Sequence, residues 1–248
     1  GPLPPHPPGT SHLWFLYYLM LFLVLLWAAR SFGLGRFAPR IASLHPAWLL
    51  GVLPVLLAPA LASVPAPHPA PESFLPQFWA MHYYGAFFAL GYLMQGHAGL
   101  IGRLQRFGPA LFAGSVLLYA GYLLLVTQRP PALAGAAWAW TTGLLGAAIS
   151  VWMTIACLVI GQRLLDRGHG VLRYLADAAY WSYLVHLPIL FAIQYRLMDA
   201  ELPWALKFTL SVALTLLLCL ASYQLLVRHT PLARLLGGPS RRPVRAAA

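Results

Sequence analysis

The chain has 248 residues, 60% of them hydrophobic and only 8% charged, with 16 basic and 5 acidic residues. A water-soluble globule carries about 25% charged residues, so this composition excludes an ordinary soluble domain and points to a bilayer, where apolar surface needs no charged cover. The net charge of +11 sits singly or in small groups between apolar runs, which argues for membrane topology signals and anionic lipid headgroups as partners and against nucleic acid.

In chain order, the opening GPLPPHPPGTSH has neither an initiator Met nor a signal peptide and leads directly into apolar sequence, as expected of the C-terminal part of a longer protein. Seven runs near the roughly 20 residues that a spanning helix needs follow, at about 13–29, 47–64, 77–95, 109–127, 137–162, 178–198 and 204–227. The second contains Pro54 and Pro59, expected to kink it or end it early. The fold class is therefore all-α, a polytopic transmembrane bundle of about seven spans over a single membrane domain, 1–248. The Pro-rich connection 65–76 is expected to be extended and semi-rigid. Cys157 and Cys219 lie inside apolar runs, expected as buried thiols without disulfide or metal spacing, and no Walker A or dinucleotide glycine motif is present.

Orientation follows from alternate connections. One side holds Arg30, Arg36, Arg40, Arg103, Arg106, Arg163, Arg167, Arg173 and, in a basic tail at 229–248, Arg234, Arg241, Arg242 and Arg245, with Arg228 just before it; the other holds Arg129, Arg196 and Lys207. Positive charge marks the cytoplasmic side, placing the C-terminus in the cytoplasm of an inner (plasma) membrane. Trp and Tyr residues crowd the helix ends, among them Trp14, Tyr17, Tyr18, Trp48, Trp79, Trp138, Trp140, Trp181 and Trp204, and read as interfacial anchors.

No Asp, Glu, Lys or Arg lies deep within a predicted span, which disfavours a charge-driven pump. The groups left for acid–base chemistry are His12, His82 and His186. His186 lies about eight residues into the sixth run, or ~12 Å at 1.5 Å per residue. Ser182 and Tyr183 precede it by a helical turn and share its face, and Pro188 frees the carbonyl of Leu184. Two readings stand side by side for His186: a base facing a wet cavity, and a packing residue bonded to a neighbouring span. His82 begins His82-Tyr83-Tyr84, followed by Gly85 and Gly91, which permit close helix approach. His12, with Ser11 or Thr10 as an N-cap, opens the first span. Arg36, Arg103 and Arg173 are candidates to neutralise the phosphates of an acyl-CoA donor, and equally serve as topology determinants.

Ser11-His-Leu-Trp-Phe-Leu16, Phe87-Phe88-Ala-Leu-Gly-Tyr92 and Tyr180-Trp-Ser-Tyr-Leu-Val-His-Leu-Pro-Ile189 occur in that order. Together they resemble segments of the acyltransferase family 3 membrane proteins, with a likeness to members that succinylate periplasmic glucans. The resemblance implies about ten spans, with these seven as the C-terminal part. It also implies transfer of an acetyl or succinyl group from cytoplasmic acyl-CoA, a donor substrate rather than a bound cofactor, to a periplasmic saccharide or glucan. By that likeness His12, Trp14, Tyr183 and His186 line the site without the main catalytic role; His186, Tyr183 and His12 are the candidate catalytic residues and Trp14, with His82 and Ser182 from the reading of the spans, the candidate substrate-binding residues. The family's early Arg and His motif has no counterpart here, which places the principal base upstream. A non-enzymatic transporter or flippase for a lipid or sugar is the alternative, expected to show paired broken helices and an internal repeat; a non-catalytic membrane scaffold is a third.

Overall fold

The computed structural model describes residues 9–165 and 170–235, and every regular element among them is helical. In chain order these are α1 (Trp14–Ser31), the short α2 (Ala38–Ser43), α3 (Pro46–Ala62), α4 (Phe78–Gly96), the short α5 (Ala98–Leu104), α6 (Gly108–Gln128), α7 (Gly135–Leu165), α8 (Gly170–Leu197), α9 (Trp204–Ser222), which runs on as a π-turn over Tyr223–Val227, and α10 (Leu232–Leu235). Residues 166–169 with Arg167, and most of the basic tail with Arg241, Arg242 and Arg245, lie outside the described residues.

A long helix answers each of the seven predicted runs. Five stretches, Ser11–Ser31, Gly99–Gln128, Gly135–Leu165, Gly170–Leu197 and Trp204–Val227, are long and apolar enough to cross a bilayer. Leu34–Ser43 and Pro46–Ala62 make a sixth if they act as one span bent by 119°. Helix α4 carries His82, Tyr83, Tyr84 and Gln95 and falls short of that apolarity; it packs against both α1 and α3. The chain is a multi-pass membrane protein.

Pro54 and Pro59 do not end α3, which continues to Ala62. A proline at 54 removes the N–H that would bond the carbonyl of Leu50, and the indole N–H of Trp152 on α7 donates to that carbonyl at 2.9 Å. The orphaned acceptor is thus satisfied from a neighbouring helix, the condition under which a spanning helix tolerates proline. The break falls earlier, at Leu44 and His45.

Two compact units divide the chain, Gly1–Leu164 and Leu165–Ala248. The first buries Leu57 and Leu61 of α3, Leu90 and Met94 of α4, Leu100 and Leu104 of α5, Leu111 of α6, and Val151 and Ile155 of α7. Helices α3 and α7 meet at backbone distance: a Cβ on Gly143 would stand 2.8 Å from the amide nitrogen of Ala62 and 2.9 Å from the carbonyl oxygen of Ala58. Gly85 of α4 likewise admits the ring of Phe22, whereas Gly91 faces open space. In the second unit α8 packs along α9, with Ala178, Tyr223 and Val227 buried.

Many large apolar side chains point outward, among them Phe78 (93% exposed) and Trp204 (82%), a surface that lipid covers and water would not tolerate. Trp48, Trp140 and Trp204 are exposed, as interfacial anchors are. Trp14, Tyr18, Trp79 and Trp181 depart from that expectation and pack inward. Cys219 is buried but Cys157 is exposed, because an apolar run does not reveal which of its faces meets lipid.

Candidate functional site

Three places concentrate polar chemistry. The first lies where residues 65–76 return to the start of α1. A single 3₁₀ turn, Ser11–Leu13, carries His12 into α1, with Ser11 at φ +48°. The expected side-chain N-cap does not form; the Thr10 hydroxyl and amide both donate to the carbonyl of Glu72 instead. Tyr17 donates its hydroxyl to the carbonyl of Phe74 at 2.8 Å, and the amide of Gln77 donates to the Tyr18 hydroxyl at 2.9 Å. Beneath these bonds the Trp14 ring packs 5.0 Å from that of Tyr84 and 6.4 Å from that of Tyr18. Such contacts add to the area that each ring buries. His82 is exposed on another face of α4.

His68, in the same connection, was not singled out by sequence. Its ring seats over α7, where a Cβ on Gly146 would stand 3.0 Å from His68 Nε2 and 3.3 Å from a Leu61 methyl. Both ring nitrogens are buried, and neither makes a hydrogen bond of good geometry. Burial holds this imidazole below its ordinary pKa, opposed by the nearby Pro65 carbonyl.

The second place is the break between α2 and α3. A cavity of about 520 Å³ is lined by Ser43, His45, Pro46, Gly102, Arg103 and Arg106. The Arg103 guanidinium donates to the carbonyls of Ala42 and Ser43 at the end of α2, and so ties α5 to the break. Arg106 lies over the Phe107 ring at 4.6 Å. Arg36 and Arg40 are exposed over Phe37 at 5.0 and 6.0 Å, and Arg36 is not among the residues lining this cavity. Only one acidic residue, Glu72, stands in residues 1–164, against Arg30, Arg36, Arg40, Arg103, Arg106, Arg129 and Arg163.

The third place is in the second unit. His186 Nδ1 lies 2.7 Å from the carbonyl of Tyr183, and the two rings are 5.8 Å apart. A carbonyl only accepts, so Nδ1 is the donor in this contact. Ser182, Tyr183 and His186 are all half-buried on α8. That helix begins at Gly170, eight residues before the predicted span, and runs unbroken through Pro188. Arg173 is exposed in its first turn. Elsewhere in this unit an apolar cavity of about 640 Å³ lies between α8 and α9, with Gln194, Lys207 and Ser211 among its lining.

A sequence model of the Acyltransferase domain (Acyl_transf_3) matches residues 2–224. The chain belongs to acyltransferase family 3. No curated protein and no solved structure matches it. The family match spans both compact units and all three places just described, and membership makes the protein a membrane acyltransferase. Of the residues that the motifs singled out in this acyltransferase, His12, Trp14 and His82 lie in the first unit, and Ser182, Tyr183 and His186 in the second. His45 and Trp152 escaped notice, although each had a signal: a His-Pro pair before an apolar run marks a helix start, and a proline within a span calls for a donor on a neighbour.

Proposed function

We propose that this chain transfers an acyl group, acetyl or succinyl, from a cytoplasmic acyl-CoA to a hydroxyl of an extracytoplasmic saccharide or glucan. It does so in the inner membrane, with the arginine end and the C-terminus on the cytoplasmic side. The observation that carries this reading is the cavity lined by Arg103 and Arg106 in a unit with one carboxylate. Guanidinium groups in a lining that holds no acid among the described residues suit phosphate oxygens, and CoA brings them on the same molecule as the thioester. Arg36 and Arg173, exposed on the same predicted side, add to the field that attracts such a donor.

In the transfer the acceptor hydroxyl oxygen attacks the thioester carbonyl carbon. The new C–O bond forms, the C–S bond breaks, and the hydroxyl proton must leave. The resemblance puts the principal base outside these residues, and His186, whose Nδ1 lies 2.7 Å from the Tyr183 carbonyl, is assigned a supporting part in moving that proton. The same proton then serves the departing CoA thiolate. Tyr183 is a hydroxyl donor to the developing oxyanion, and Ser182, on the same helix, is assigned to the saccharide. The test is His186→Ala in the full-length protein in its native membrane, measuring radiolabelled acyl incorporation into periplasmic glycan at matched expression. A principal general base contributes about 10²–10⁴-fold, and a supporting residue is expected to cost about tenfold, below that range; incorporation at the wild-type rate would remove His186 from the chemistry.

A further inference from the structure

The cavity at the α2–α3 break holds a third donor besides its two arginines. His45 adopts extended backbone (φ −62°, ψ 136°) as the N-cap of α3, and its Nδ1 accepts the amide N–H of Ala47 at 3.2 Å. An amide only donates, so Nδ1 carries the lone pair of the ring, and the imidazole hydrogen is held on Nε2. The side chain is exposed and lines the cavity beside Arg103 and Arg106. Backbone amides do not supply the donors here. Pro46 has no N–H, that of Ala47 is taken by His45, and that of Trp48 bonds the His45 carbonyl. What the cavity offers an anion is therefore side chains: the remaining N–H groups of Arg103, the Arg106 guanidinium, and one fixed Nε2–H.

We infer that His45 is a positioning residue for the donor, its Nε2–H bonding a phosphate oxygen of the CoA nucleotide while its Nδ1 caps α3. This rests on the donor-binding reading above. The double duty has a physical use. The guanidinium of Arg103 is anchored through the carbonyls of Ala42 and Ser43 and that of Arg106 lies on Phe107, so charge is placed by both. A neutral donor with one tautomer adds direction without more charge, and the bond that selects the tautomer is the one that starts α3.

Two substitutions separate capping from phosphate contact. Asn and Asp both cap helices as well as or better than other residues, so His45→Asn and His45→Asp keep α3 started, and Asp suits the positive end of the helix. A residue that only caps predicts wild-type CoA affinity in both. A phosphate contact predicts opposite ranks for stability and affinity: melting temperature in detergent as high in the Asp variant as in the Asn variant, but CoA binding weakened about tenfold by Asn, the loss of one hydrogen bond to a charged group, and further still by Asp, which sets a carboxylate against phosphate. The rise should appear in KM for acetyl-CoA with kcat retained in the Asn variant.

CoA binding to the full-length protein in uncharged maltoside micelles is the measurement, with Arg103→Gln and Arg106→Gln alongside. Equal CoA affinity in wild type, His45→Asn and His45→Asp overturns the role of His45. If the two arginine variants also bind CoA unchanged, the donor site itself lies elsewhere and the broader reading falls with it. A parallel titration of phosphatidylglycerol in nanodiscs identifies the phosphate source: lipid binding lost in His45→Asp with CoA binding intact assigns the site to a headgroup and overturns the donor role.

Discussion

At the end of the first unit that carries residues 65–76, the chain is closed by neutral groups. Tyr17, Tyr18 and Thr10 bond loop backbone, Trp14 and Tyr84 fill the space beneath, and His68 sits uncharged over Gly146. At the arginine end the same unit is open: a cavity of about 520 Å³ with two guanidinium groups and, among the described residues that line it, no acid. Aromatic surface with satisfied hydrogen bonds gains from leaving water, so the first end packs shut. Charge loses hydration when buried, so the second stays accessible. One end of the unit is closed and the other open, and the residue types alone account for the difference.

The comparison breaks most visibly at the closed end. Gly143→Val places a side chain against the backbone of Ala58 and Ala62, and overpacking against backbone that has no rotamer to yield falls at the upper end of the usual cost of about 1–3 kcal/mol. Loss of monodisperse protein after detergent extraction is the expected outcome, and an unchanged melting temperature would mean that α3 and α7 do not meet there. Arg103→Gln acts at the open end. It removes a charge-assisted donor worth about 1.5–3 kcal/mol and is expected to weaken acetyl-CoA binding at least tenfold without loss of fold, as followed by KM.

Salt then divides the two ends. Raising ionic strength to 1 M shortens the screening length to about 3 Å, which should weaken CoA binding severalfold and leave the closed end untouched, as judged by protease cleavage within 65–76. Tyr17→Phe should do the reverse. Loss of the bond to Phe74 costs about 1 kcal/mol and raises cleavage of that connection, while KM for the donor stays put. The smallest effect is on pH. His68 is held neutral by burial, so its docked ring has the lower pKa, and a released ring titrates near 6.5. Docking is then complete above about pH 6.5 and weakens as pH falls through that value. Hydrogen exchange over 65–76, corrected for intrinsic rates, should show less protection at pH 5.5 than at 7.5, and His68→Leu should remove the difference.

Much of this was legible from residue order. The long helices follow the apolar runs because a helix satisfies all its backbone groups within one segment, as lipid requires. The segment from His12 to Leu16 and that from Tyr180 to Ile189 were enough to suggest the family that the match over 2–224 shows. The face of each helix was not legible. Runs apolar all round carry no periodicity to orient them, so Cys157 emerged exposed, Trp14 and Tyr18 packed inward, and His82 stood on a different face from its neighbour Tyr84.

By itself the order of residues determined that the chain lives in a bilayer, how many long helices it forms, and where its positive charge collects, since each of these depends on local composition and length. Tertiary structure alone decided that Trp152 serves the carbonyl freed by Pro54, that His68 lies on Gly146, and that Arg103 and His45 share a cavity. Those pairings join residues far apart in the chain. They follow from which helices lie side by side, and van der Waals fit and stray hydrogen-bonding groups choose that once lipid has removed the hydrophobic preference for one face over another.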